Sequence, residues 1–175
     1  AFPAGAERGA APAALLEMMR RNAGLALGAD AAAAVERWRP ARAELAARAR
    51  PIEVDARMHA WEWLALPGGR LVKTDGVDHH AGHDLVGCQD VAWDVAGATV
   101  ELALAPAEAR RLAALVGVDR ELLAFLHAAY LAFQLGRHAL AIGLAAPADA
   151  ARLRSAIDRY TGLLRAALTT SGPGM

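Results

Sequence analysis

The chain has few of the residues on which several common kinds of site depend. Cys88 is its only cysteine, which excludes an internal disulfide and a cysteine-built zinc site and fits a reduced, cytoplasmic setting. Lys73 is the only lysine, and the other basic residues are all arginines. The 19 basic and 19 acidic residues balance to a formal net charge of zero, so no nucleic-acid or anionic membrane partner is expected. Apolar runs are too short for a membrane span, and no signal segment opens the sequence.

Aromatic residues are also scarce, at 5%, whereas alanine supplies much of the 55% hydrophobic content. Alanine has the highest intrinsic helix propensity, so this composition predicts a mainly helical core of Leu, Val and Ala. The length of 175 residues favours a single domain over residues 1–175.

Prolines, glycines and aspartates mark the expected helix ends. They predict one helix from Pro12 to Gly28 and a second helix that Asp30 caps and that Pro40 kinks or splits. Three further helices are predicted: a short one from Pro106 to Gly117, a long one capped by Asp119, and a last one from Pro147. Residues 51–54 favour an extended conformation. Residues 61–74 contain two strand-like runs around Pro67-Gly68-Gly69 and predict a β-hairpin. A further helix is expected over about residues 90–104. The fold class is therefore mainly α (α+β), with a small β-hairpin carrying an acidic site.

Ionisable residues concentrate in the stretch that follows this hairpin. Its aspartates and histidines are Asp75, Asp78, His79, His80, His83, Asp84, Asp90 and Asp94. Histidines spaced like His79 and His83 can bind zinc or iron, but loop histidines more often bond to neighbouring carboxylates. Both interpretations stay open on the sequence.

The carboxylates flanking the hairpin are better placed for catalysis. Asp55 follows a short extended run, and Asp75 ends the returning strand. Strand ends fix a side chain while leaving its tip accessible, so one acid could accept a proton and the other hold a divalent cation. The alternative is that both acids simply cap loops.

Other polar residues have structural interpretations. Asp90 is expected at a helix N-cap, and Asp94 is expected to point inward and bind backbone N–H groups, because a buried unpaired charge is costly. Trp93 is expected in the core, and Lys73, at a strand edge, is expected to be solvated. Solvation is also expected for the arginines of the second helix, which are Arg37, Arg39, Arg42, Arg48 and Arg50.

The order of these parts resembles the C-terminal lobe of the aminoglycoside/choline-kinase-like phosphotransferases, which have a protein-kinase-like fold. In that family the segment after the hairpin commonly contains Gly-Asp-Pro-x-x-Asp-Leu-Ala. Residues 90–96 here, Asp-Val-Ala-Trp-Asp-Val-Ala, are similar to it with Val91 in place of proline. Residues 129–136 also resemble the helical subdomain of that family. The resemblance covers roughly residues 50–140.

The resemblance implies an ATP-dependent phosphotransferase that acts on a small-molecule hydroxyl. Asp55 would be the catalytic residue, and Asp75 would bind the magnesium of ATP, with Glu62 as a second ligand of the metal and nucleotide. Because the family binds ATP between two lobes, the resemblance also implies an N-terminal nucleotide-binding lobe elsewhere in the same, longer chain.

Two positions depart from the family pattern. The catalytic loop of the family contains His-x-Asp followed by Asn five residues later, whereas this chain has Glu53 and Ala60 at those places. A kinase-like scaffold that binds a partner or small ligand without catalysis is therefore an alternative, and a His/Asp metal-binding protein is a less favoured one.

Overall fold

The computed structural model describes residues 9–74 and 86–170 of the chain. Within these residues the protein is mainly helical with one small antiparallel sheet, which confirms the coarse fold class. The helices are α1 (Pro12–Leu27), α2 (Ala29–Val35), α3 (Arg42–Arg48), α4 (Ala92–Glu101), α5 (Pro106–Val116), α6 (Arg120–Ile142) and α7 (Pro147–Thr170). The strands are β1 (Trp63–Ala65) and β2 (Leu71–Lys73), and short 3-10 helices cover Glu36–Trp38 and Ala60–Glu62.

Most helix ends fall where local chemistry places them. Pro12 begins α1, and Gly28 ends it with a φ of 91°, a backbone conformation that glycine adopts without steric cost. Pro106 begins α5, and Gly117 ends it in the left-handed region. The Asp119 Oδ1 accepts the amide of Leu122, which caps α6 as predicted.

The second predicted helix is divided rather than kinked. It consists of α2, a 3-10 turn and α3, with Pro40 in the interruption because proline cannot continue the helical hydrogen-bond ladder. The expected capping role of Asp30 is wrong. Gly28 occupies the N-cap of α2, and Asp30 lies within its first turn.

The predicted hairpin is present with shorter strands. Trp63 pairs with Lys73, Leu64 with Val72, and Ala65 with Leu71, in antiparallel register. The positive φ angles of Gly68 and Gly69 supply the tight turn between the strands. Residues 51–54 do not form a strand, but Ile52 makes an isolated antiparallel bridge with Gln89.

The described residues divide into two compact units. Unit 1 comprises residues 9–10, 45–74 and 86–127, and unit 2 comprises residues 11–44 and 128–170. None of the described helices combines the length and apolar character that a membrane crossing needs.

Unit 1 contains the hairpin and is built around α4. All residues of α4 except Asp94 and Thr99 are buried, and Trp93 is only 1% exposed, as predicted for a core residue. Residues 9–10 bond to the backbone of Val86 and Cys88, so the chain before α4 is held on both sides, by residues 9–10 and by Ile52. Gly9 permits this approach, because a Cβ there would lie 2.0 Å from the Val86 carbonyl oxygen.

Unit 2 packs α1 against α2 and α7. Its buried apolar residues come from four helices and include Leu15, Leu16, Met19, Val35, Leu131, Leu135, Tyr160 and Leu164. Arg37 donates to the last carbonyls of α7, at 2.7 Å from Leu168 O and 3.1 Å from Ala167 O, where a cation also complements the helix dipole. The expectation that Arg37 is merely solvated is therefore wrong.

Candidate functional site

Three charged side chains of unit 1 meet at the base of the hairpin. The Lys73 Nζ lies 3.0 Å from the Asp55 Oδ2 and 2.9 Å from the Glu62 Oε2. The three side chains are only 11–14% exposed, so their contacts are less screened than those of a surface ion pair. We name Asp55, Glu62 and Lys73 the lysine–carboxylate cluster.

Hydrogen bonds of the β-hairpin position two members of this cluster. Lys73 is the last residue of β2, and the next residue, Thr74, donates its amide and its hydroxyl to the Glu62 carbonyl at 2.9 and 3.1 Å. The two backbones therefore lie side by side, and the long lysine side chain reaches both carboxylates. The expectation that Lys73 is solvated at a strand edge is wrong, because pairing brings it between two acids.

Asp94 holds the backbone of Asp55, the third member of the cluster. Its Oδ2 accepts the Asp55 amide at 2.9 Å, and its Oδ1 accepts the Ala56 amide at 2.8 Å. This confirms the prediction that Asp94 binds backbone N–H groups. Asp94 lies in the first turn of α4, where the helix dipole also favours a negative charge.

The peptide that Asp94 grips has an unusual conformation. Ala56 has a φ of 62°, a region that residues with a Cβ seldom adopt. The Asp55 Oδ1 accepts the Arg57 amide at 3.2 Å, which closes a short side-chain turn around this residue. The two hydrogen bonds that Asp94 accepts offset the backbone strain at Ala56 and fix the orientation of the Asp55 side chain.

Burial and hydrogen bonding have opposite effects on the ionisation of this region. Burial raises the pKa of Asp94 to about 6, against the lowering effect of the amides of Ala56 and Asp55. Burial alone would lower the pKa of Lys73, but hydrogen bonds to Glu62 and Asp55, together with their charges, raise it above its ordinary value. Lys73 is therefore an ammonium ion at neutral pH.

Asp90 lies one residue before the N-cap of α4, which Val91 occupies, so the expectation that Asp90 is the N-cap is wrong by one position. Its Oδ1 accepts the amide of Ala92, the first residue of α4, at 2.9 Å, and its Oδ2 accepts the amide of Arg50 at 2.9 Å. Asp90 thereby satisfies one N–H at the start of the helix and ties the segment before Ile52 to it.

A second buried pair lies in the loop between Asp55 and Glu62. The His59 Nδ1 is 3.4 Å from the Glu101 Oε2, and both side chains are almost completely buried. The ring of His59 stacks on the exposed Trp61, with centroids 4.2 Å apart. Glu101 ends α4, and the buried His59 Nδ1 beside it makes no hydrogen bond among the described residues.

Several of the predicted site residues fall outside the described ranges. Asp75 and the histidines His79, His80 and His83 belong to residues 75–85, so their predicted roles in binding magnesium or another metal stay predictions. Of the predicted site residues, Asp55 and Glu62 are described, and Lys73 brings them together. Among residues 9–74 and 86–170, no group of three His, Cys, Asp or Glu side chains could hold a metal ion.

The sequence reasoning missed two features of this site. It did not identify Lys73 as the partner of both acids, although its status as the only lysine was a signal. It also left His59 unassigned, and nothing in the local sequence indicates a pairing with Glu101, because that contact depends on how the loop packs against the end of α4.

Comparisons of the chain with protein-family models, curated proteins and solved structures found no match.

Proposed function

We propose that unit 1 is the catalytic and substrate-binding part of an ATP-dependent phosphotransferase that acts on a small-molecule hydroxyl. The observation that supports this proposal is the pair of hydrogen bonds that the Asp94 carboxylate accepts from the backbone amides of Asp55 and Ala56. Two of the stretches that carry the resemblance, the loop at Asp55 and the segment 90–96, are thereby joined. A kinase-like C-terminal lobe needs such an arrangement, because its catalytic acid must be held rigidly.

In this proposal Asp55 accepts the proton of the attacking hydroxyl or orients it. The Lys73 ammonium and the Arg57 amide both contact the Asp55 carboxylate and hold it in place for this role. Phosphoryl transfer depends mainly on positioning and on the neutralisation of charge. Asp94 supplies the positioning of Asp55, and the Lys73 ammonium supplies a positive charge 3.0 Å from it.

ATP is the proposed phosphoryl donor, and an N-terminal nucleotide-binding lobe of the same chain is its proposed second binding surface. Magnesium would enter with ATP, and the resemblance assigns it to Asp75 and Glu62. The described residues do not fit a magnesium site at Glu62, because its carboxylate is bound to the Lys73 ammonium and no set of three ligands surrounds it. The roles proposed here for Asp55, Lys73 and Asp94 therefore do not depend on the metal.

The substitution Asp55→Asn in the full-length protein tests this function. Because a general base contributes about 10²–10⁴-fold, we expect kcat for ADP release with a panel of small-molecule alcohols to fall by at least about 100-fold, with little change in the KM for ATP. Asp158→Asn, the same change at an exposed position of α7, is the matched control and should leave kcat unchanged. A wild-type rate in the Asp55→Asn protein would show that Asp55 is not a catalytic residue.

A non-catalytic, kinase-like binding scaffold is the second candidate. Glu53 and Ala60 replace the His and Asn of the family pattern, and the Lys73 ammonium already forms ion pairs with both Asp55 and Glu62. If this candidate holds, the full-length protein transfers no phosphoryl group to any alcohol tested. Its ligand or partner binding then persists undiminished in the Asp55→Asn and Asp75→Asn proteins.

A further inference from the structure

In the lysine–carboxylate cluster two carboxylates surround a positive charge, as in a cation-binding site, but the charge is a side-chain ammonium of the protein. One ammonium nitrogen lies within 3.0 Å of oxygens from two separate carboxylates, so these oxygens are no more than about 6 Å apart. Two acids at such a separation usually share a positive ion, because like charges held close together in a partly buried site repel each other. Here the positive ion is the side chain of Lys73.

Each member of the cluster is held by its own set of backbone contacts. The pairing of Trp63 with Lys73 and the two hydrogen bonds from Thr74 fix Glu62 and Lys73 beside each other. The two hydrogen bonds that Asp94 accepts independently fix the backbone at Asp55. The ammonium therefore meets two preformed acids, which distinguishes the cluster from a chance contact of flexible surface side chains.

The cation of the cluster is an ammonium, although every other basic residue of the chain is an arginine. An ammonium is a compact point charge that fits between two carboxylates, whereas the guanidinium of arginine is a flat fork. A magnesium ion at the same place needs about six oxygen ligands at about 2.0–2.1 Å. It could use Asp55 and Glu62 only after Lys73 had left them.

We propose that Lys73 is a positioning residue that acts as a built-in cation between Asp55 and Glu62 and keeps divalent ions from these two carboxylates. This inference rests on the proposed function, in which Asp55 receives the acceptor hydroxyl. Lys73 then holds the Asp55 carboxylate in one orientation at any metal concentration. Any divalent ion that the reaction uses binds elsewhere.

The wild-type protein provides the first test when its lysines are labelled with ¹³C and ¹⁵N, because the side-chain signals of Lys73 are those that a Lys73→Arg protein lacks. We expect the Lys73 Cε and Nζ signals to stay in place when millimolar Mg²⁺ is added. The Glu62→Gln protein, which weakens one of the two ion pairs, sets the size of the shift that displacement causes. A Mg²⁺-dependent shift of that size in the wild-type protein overturns the proposal.

The second test removes the built-in cation. We expect Lys73→Met to bind Mn²⁺ at least about tenfold more tightly than the wild-type protein, as measured by electron paramagnetic resonance of free Mn²⁺. The Lys73→Met/Glu62→Gln double variant should lose this gain, which separates the cluster from any metal site elsewhere in the chain. Loss of a merely structural lysine would not create metal affinity, so the absence of a gain in Lys73→Met overturns the proposal.

Each of the two tests can be read without the other, and both can be read separately from the proposed function. If Lys73→Met fails to fold, as circular dichroism would show, the lysine signals of the wild-type protein decide the question alone. Neither test needs ATP or an acceptor. A protein that shows the expected metal behaviour but transfers no phosphoryl group therefore contradicts the proposed function and not the assignment of Lys73.

Discussion

At the scale of single residues, Asp94 shows how one carboxylate can set the geometry of a whole loop. Its two oxygens accept the amides of consecutive residues, Asp55 and Ala56, while burial works against its negative charge. The pKa of about 6 is the result of this opposition between burial and hydrogen bonding. Asp94 therefore fixes the backbone at Asp55, and in the proposed function the Asp55 carboxylate receives the acceptor hydroxyl.

The raised pKa of Asp94 predicts a pH-dependent contribution to stability. The folded protein retains a proton on Asp94 up to about pH 6, whereas the unfolded chain releases it near 3.8. The contribution is therefore fully present below about pH 4 and is lost as the pH rises through 6, with a total change of about 3 kcal/mol.

Urea unfolding of the wild-type and Asp94→Asn proteins between pH 4 and pH 7 measures this effect. The unfolding free energy of the wild-type protein minus that of Asp94→Asn should decrease as the pH rises. The sign of the slope is the test, because Asn also loses one amide contact at every pH. Asp158→Asn, at an exposed position, should give a flat difference. A flat difference for Asp94→Asn as well would contradict the raised pKa.

At the scale of elements, two glycines inside helices, Gly136 of α6 and Gly162 of α7, have different surroundings. A Cβ on Gly136 of α6 would lie 2.2 Å from the Asn22 Nδ2, which donates to the Ala132 carbonyl at 2.9 Å. A Cβ on Gly162 of α7 would meet nothing within 4 Å. The same substitution should therefore have opposite effects at the two positions.

We expect Gly136→Ala to lower the free energy of unfolding by about 1–2 kcal/mol, because Asn22 must move and give up its hydrogen bond to Ala132. Gly162→Ala should raise it by about 0.5–1 kcal/mol through the better helix propensity of alanine. Thermal and urea unfolding of the two variants check this. Equal effects would show that helix propensity alone governs both sites.

Local signals predicted the elements well because helix ends depend on nearby residues. Pro12, Gly28, Pro106 and Gly117 each act through their own backbone conformation, and all four mark observed helix ends. The prediction that Asp30 is the N-cap of α2 was wrong because Gly28, two residues earlier, is the N-cap. Competition between neighbouring caps is decided by the path of the chain, which the sequence does not reveal.

At the scale of the whole molecule, the described residues form two compact units, and the lysine–carboxylate cluster lies within unit 1. Length and composition favoured a single domain, and the identification of residues 1–175 with one kinase-like lobe stays a prediction. Unit 1 assembles residues from distant parts of the sequence, since residues 9–10 contact residues 86–89. Pairings of this kind follow from packing rather than from local propensity.

The substitutions Asp94→Asn and Gly136→Ala affect different partners, since Asp94 contacts Asp55 and Ala56 while Gly136 faces Asn22. We expect the effects of Asp94→Asn and Gly136→Ala on the unfolding free energy at pH 7 to add within about 0.5 kcal/mol. The pair Asn22→Ala and Gly136→Ala, which share a contact, should depart from additivity and serves as the positive control. Strong non-additivity in the first pair would show energetic coupling between the units.

The sequence by itself determined the helical class, the hairpin, most helix ends and the inward direction of Asp94. These features follow from backbone sterics, helix propensity and the cost of an unpaired buried charge, all of which act locally. Only the tertiary structure decided which groups meet: Asp94 with an amide 39 positions earlier, Glu62 with Lys73 and His59 with Glu101. Such contacts depend on packing between segments distant in the chain, and no residue carries a local mark of its partner.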